Sequence, residues 1–130
     1  MREDFADAVL GRSRTMRDLE REKIHEDYKD QTEDYEIGYP TVGWLRAALK
    51  SCDLVGDETF LRSIKTPVLF LTAASDGLVS VQAQKRAARL MPHGRQIIMQ
   101  EARHGIWYDR DDIQKILWSE IDHFIDQQAT

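Results

Sequence analysis

The chain has 130 residues, a net charge of −5 and one cysteine, Cys52. That length holds a single domain with a modest core. The acidic balance argues against nucleic acid as a partner, the lone cysteine excludes an internal disulfide and fits a reducing compartment, and no run of about 18 apolar residues exists to cross a membrane.

Residues 1–36 are strongly charged, with weak helical periodicity. Two short helices around Gly11 are expected there, one face carrying Phe5, Ala8 and Val9 and another Met16, Leu19 and Lys23, with the charges on a solvated surface. This N-terminus is too charged for a signal peptide. The chain therefore reads as cytoplasmic, with a peripheral place on the inner membrane compatible with it. Gly38, Tyr39 and Pro40 break the helical pattern, and Thr41 is a good N-cap for a helix that begins at Val42 and ends near Asp53 to Gly56. Its stripe of Leu45, Ala48, Leu49 and Cys52 predicts a buried face, with Cys52 as a core thiol. Asp57 can cap a short helix that buries Phe60, Leu61 and Ile64.

After Thr66-Pro67, the run Val68–Thr72 is continuously apolar, as expected of a strand covered on both faces. Ser80 caps a helix from Val81 to Leu90, which Pro92 and Gly94 close. Ile97–Met99 make a second strand. A helix between two strands implies a right-handed crossover and parallel pairing. The last helix, Asp111 to Asp126, carries Ile113, Ile116, Leu117, Ile121, Phe124 and Ile125 on one face, with Asp109, Asp111 and Asp112 at its positive end.

This order places Asp76 and His104 on loops after the carboxyl ends of the two strands, where open α/β sheets build their sites. A histidine acts as a general base when a buried carboxylate orients its ring and stabilises the imidazolium. Taken singly, Asp76 reads as a turn residue in Ser75-Asp76-Gly77 and His104 as a loop histidine; with one helix and one strand between them, the acid–histidine pair is the better reading. His25, His93 and His123 have no partners at metal spacing and read as surface residues. Nor do His104, Asp76 and Asp109 have the spacing of a three-ligand site, so no metal and no cofactor are expected. Trp107 and Tyr108 read as covers for the sheet edge, and Trp118 as a cover for its end or a partner contact.

The stretches IKTPVLFLTAASDGLVS and QEARHGIWYDRDDIQKILWSEIDHFI resemble the C-terminal part of an α/β-hydrolase, in the lysophospholipase and monoacylglycerol-lipase branch. PTVGWLRAAL is similar to the end of that branch's cap. The resemblance implies an α/β fold class: the last two parallel strands of the hydrolase core with their helices over 57–130, preceded by a helical cap remnant over 1–56. It implies Asp76 as triad acid and His104 as triad base, Trp44 as a candidate lining of an acyl-chain pocket, and Asp109-Arg110 as a structural pair before the last helix. Packing of Trp44 against Tyr39 or Leu45 is the plainer account of that residue.

In that fold the nucleophile precedes the acid and lies in G-x-S-x-G. No such motif occurs: Gly11-Arg12-Ser13-Arg14-Thr15 lacks the second glycine, and no HGGG-type oxyanion motif is present. The expectation is the C-terminal part of a serine hydrolase of lysophospholipase type, whose serine lies outside this chain and whose substrate is a lipid-like ester. The alternative is an inactive remnant serving as a binding or oligomerisation module. On either reading, the expected partner of the chain is the missing N-terminal half, or a second copy paired through the exposed sheet edge. The chain alone is expected to have negligible esterase activity.

Overall fold

The computed structural model describes residues 18–30 and 40–129. The helix expected before Gly11, Met16 of the second expected helix, and Tyr39 beside Trp44 lie outside these residues, whereas Leu19 and Lys23 of that second helix are described. The order of elements is α1 (Leu19–Asp30), α2 (Val42–Gly56), α3 (Glu58–Ser63), β1 (Val68–Ala73), α4 (Val81–Leu90), β2 (Gly94–Met99) and α5 (Asp111–Gln128). Side-chain caps fix four helix starts, the first at α1, where Asp18 Oδ1 accepts from Arg21 N at 3.0 Å. Thr41 Oγ1 accepts from Trp44 N at 3.1 Å, Asp57 Oδ1 from Phe60 N at 2.7 Å and Ser80 Oγ from Ala83 N at 3.2 Å. Each satisfies an amide that has no partner within its own helix.

The two strands pair in parallel, from Val68 opposite Gly94 to Ala73 opposite Met99. β2 starts at Gly94, three residues before the apolar run that marks it in the sequence. Backbone pairing carries the strand through Arg95 and Gln96, whose polar side chains find partners. Arg95 bonds Gln127 of α5 at 2.9 Å, and Gln96 Nε2 donates to Thr72 Oγ1 at 2.9 Å. Gly94 is needed at the turn into β2, because a Cβ there would lie 2.3 Å from the carbonyl oxygen of Ala88.

Strand side chains alternate between faces, and the two faces are covered differently. On one face, Thr72 Oγ1 donates to Gln84 Oε1 of α4 at 2.7 Å, and α4 packs on both strands. On the other, Ala73, Met99, Ala102, Ile106, Ile113 and Leu117 form the core cluster, with Leu71 and Ile121 against it. The result is a small α/β/α sandwich. Neither face is fully closed: Val68 to Leu71 are only half-buried, and burial is complete only at Thr72 and Ala73.

Three burial expectations are corrected. No residue of α2 is buried: Leu45 and Leu49 are 41% and 57% exposed, and Cys52 is exposed rather than a core thiol. Among the described residues the main contacts of α2 are with α3 and α4, and its apolar stripe stays largely uncovered. In α3 only Leu61 is buried, while Phe60 and Ile64 stay at the rim. In α5, Ile113 and Leu117 are buried, but Ile116 and Ile125 are exposed, because a two-stranded sheet is narrower than the apolar face of the helix.

Candidate active site

Parallel pairing puts the carboxyl ends of β1 and β2 at the same edge. The loops that leave them are stitched together at once: Ala74 N donates to Met99 O at 3.0 Å and Ser75 N to Ala102 O at 3.3 Å. Ala102 is fully buried and Ile106 nearly so. The residues on either side of His104 are thus anchored in the core.

Asp76 and His104 meet across these loops. His104 Nδ1 lies 3.1 Å from Asp76 Oδ1 and 3.0 Å from Oδ2. The Asp76 side chain is 5% exposed and that of His104 40%. Asp76 is also the turn residue that its sequence context describes, since Oδ1 accepts from Leu78 N at 2.8 Å and Val79 N at 3.0 Å. The two readings of Asp76 are therefore one arrangement. The turn fixes the carboxylate, and the carboxylate holds one ring nitrogen. Nδ1 is occupied, Nε2 is the nitrogen left for another molecule, and a carboxylate facing Nδ1 favours the tautomer with its proton there.

Past His104 the loop is tied to α1, a contact the sequence does not announce. Asp109 is fully buried. Its Oδ1 accepts from Asp18 N at 3.3 Å and from Arg110 N at 2.9 Å. Its carbonyl accepts from Arg21 Nη1 at 2.6 Å and Gln114 Nε2 at 2.8 Å. Arg21 also pairs with Asp111 at 2.5 Å and Asp18 at 3.4 Å. The hydrogen bond to Asp111 is the main reason the Arg21 pKa is raised. Arg110 takes Asp112 rather than Asp109 as its ionic partner, with nitrogens at 3.1 Å and 2.9 Å from the two carboxylate oxygens. These bonds raise the Arg110 pKa and hold the Asp112 carboxyl below the usual carboxylate range.

The remaining candidates lie elsewhere. Trp44 is 60% exposed on α2. Trp107 packs edge-on against Trp118, with ring centroids 5.7 Å apart, and each is about half exposed. His93 is exposed, and His123 Nε2 faces Gln127 Nε2 at 2.9 Å. Among the described residues no group of three His, Cys, Asp or Glu could hold a metal ion, and no helix is long and apolar enough to cross a membrane.

Comparison with known proteins gives one distant likeness. Over 93 residues, 72% of this chain, the sequence is 22% identical to a Haemophilus influenzae protein described as probable lysophospholipase L2. The chain spans 29% of that relative's length. No protein-family model matches the chain, and no solved structure matches it significantly.

Proposed function

We propose that this chain carries the acid and the base of a serine carboxylic-ester hydrolase acting on lysophospholipid-like or monoacylglycerol-like substrates, with the nucleophile supplied from outside the chain. The observation that carries this reading is the Asp76–His104 contact at the carboxyl edge of a parallel sheet. The distant likeness to a protein described as a lysophospholipase supports the same class.

In the reaction, His104 Nε2 takes the proton of a serine hydroxyl as its oxygen attacks the ester carbonyl. The tetrahedral intermediate collapses as the same nitrogen returns that proton to the departing alcohol, leaving an acyl-serine. Water then repeats the cycle and releases the carboxylic acid. Asp76 keeps Nδ1 as the protonated nitrogen and stabilises the imidazolium formed in each half-reaction. Without the serine oxygen the pair has nothing to activate but water, so the chain alone turns over negligibly.

The test is hydrolysis of p-nitrophenyl butyrate by the purified chain, by His104→Ala, and by each together with the polypeptide encoded immediately upstream. Activity that needs both the upstream polypeptide and His104 is the expected result. Turnover by the chain alone that survives His104→Ala, or no activity in any mixture, would contradict it. The second of these outcomes would favour a non-catalytic binding module.

A further inference from the structure

His104 stands in a stretch with no ladder of its own. Residues 100–110 hold turns and a bend but neither helix nor strand, so contacts from neighbouring parts of the fold set where the histidine stands. On one side of it, Ser75 N donates to Ala102 O at 3.3 Å, and Ala102 is fully buried. On the other side, Tyr108 N donates to Gly105 O at 3.0 Å, closing a turn that runs straight into Asp109. The helix that follows, α5, anchors Ile113 and Leu117 in the core but starts without a side-chain cap. Arg21 of α1 braces this junction. Its Nη1 donates to the Asp109 carbonyl at 2.6 Å, and its Nη2 pairs with Asp111 in the first turn of α5. We infer that Arg21 is a positioning residue for His104: it ties the end of the histidine loop to the core-anchored helix and so keeps the ring in reach of Asp76. This rests on the reading of His104 as the base of the site, and adds to it a requirement for a helix remote in sequence.

Of the two bonds, the one to the carbonyl matters more. The Asp111 side chain is 76% exposed, and an ion pair in water is screened and contributes little. Asp109 is fully buried, and a guanidinium donating to its carbonyl makes a charge-assisted hydrogen bond. Gln114 Nε2 donates to the same carbonyl at 2.8 Å, but it belongs to α5 itself. Asp18 N reaches Asp109 Oδ1 at 3.3 Å, so α1 holds both the backbone and the side chain of Asp109. Arginine suits this place because its planar fork serves two acceptors in a fixed geometry, which the ammonium of a lysine on its flexible stem does not. The two contacts on the histidine then divide the work. Asp76 sets the direction of the ring through Nδ1. The His104 side chain is 40% exposed, so packing alone does not pin it, and its place depends on the backbone from which it hangs.

The test is the ¹⁵N spectrum of the His104 imidazole in Arg21→Ala, Arg21→Lys and Leu61→Ala, with Asp76→Ala as the reference for a released ring. Leu61 is buried in α3 and lies outside the core cluster that includes Ala102 and Ile106 of the histidine loop, so Leu61→Ala weakens the fold without touching the brace. Circular dichroism establishes that each variant is folded, and Arg21→Lys, the milder change, carries the test if Arg21→Ala does not fold. Arg21→Ala is expected to move both ring nitrogens from the parent positions toward those of Asp76→Ala, Arg21→Lys to move them less far, and Leu61→Ala to leave them in place. In a mixture with the upstream polypeptide that hydrolyses ester, Arg21→Ala should lower kcat about tenfold with KM unchanged, as a small misplacement of a reacting group does. Ring signals identical to the parent's in the Arg21 variants, or an equal displacement in Leu61→Ala, would overturn the inference. The spectrum needs no turnover, so the two readings fail separately. A displaced ring in a chain that hydrolyses nothing in any mixture removes the hydrolase reading and leaves the brace, and an undisplaced ring in an active mixture removes only the brace.

Discussion

Asp76 is where a local turn and a long-range contact share one carboxylate. Its oxygens receive two backbone amides and a histidine nitrogen while its side chain is almost wholly buried. Removing it leaves the Leu78 and Val79 amides without that acceptor, which costs about 1–3 kcal/mol by the usual penalty for stranded polar groups. Asp76→Ala should lower stability by that amount in urea denaturation, and Asp76→Asn, which keeps an oxygen for the turn, by less. Gly94 is a second position where one atom decides. Gly94→Ala sets a methyl against the Ala88 carbonyl and should destabilise by about 1–3 kcal/mol through forced backbone movement, measured the same way. Both positions are legible in the sequence as turn chemistry. The Asp18 and Arg21 attachment to Asp109 is not, because an arginine in a charged run reads as solvated whether or not it reaches a carbonyl 88 positions away.

At the scale of elements, capping was the most readable signal and burial the least. Thr41, Asp57 and Ser80 each cap the helix their sequence context assigns them, since a cap involves only neighbours three residues away. Burial depends on what lies opposite. The stripe of α5 holds at Ile113 and Leu117 and fails at Ile116, because the sheet ends beneath it. Leu117→Ala should therefore cost about 2–5 kcal/mol, as a large deletion in a closed core does. Ile116→Ala, at a residue 54% exposed, should stay within about 0.5 kcal/mol. Equal effects in thermal or urea unfolding would show that the two faces of α5 are not distinguished in solution. α1 reverses the usual case: its apolar residues Leu19 and Ile24 are exposed, and polar contacts at its first turn attach it, which is why its periodicity is weak.

In the whole molecule, eight apolar residues are buried while sixteen large apolar ones are exposed among those described. Among the described residues the sheet has two strands, each with one edge unpaired within it. Two strands are few for independent stability, and open edges favour pairing with another chain. We propose that the isolated chain self-associates through this edge or through the bare face of α2. Sedimentation velocity across a hundredfold concentration range should show growing species. A monomer at all concentrations with one cooperative unfolding transition would contradict this. The parallel strand–helix–strand unit and the place of its two loops could be read from the order of apolar runs. The narrowness of the sheet was legible only as a shortage of strands, and which helix faces it would leave uncovered was not.

The account turns on a histidine whose Nδ1 meets a buried acid while its side chain stays partly exposed. The measurement that tests this most directly is the ¹⁵N spectrum of the His104 imidazole, recorded at a pH where the ring is neutral, in the chain and in Asp76→Ala. The account predicts a single tautomer protonated at Nδ1, giving way in the variant to the mixture of an unrestrained imidazole. A ring protonated at Nε2, or one indifferent to the loss of Asp76, would contradict it.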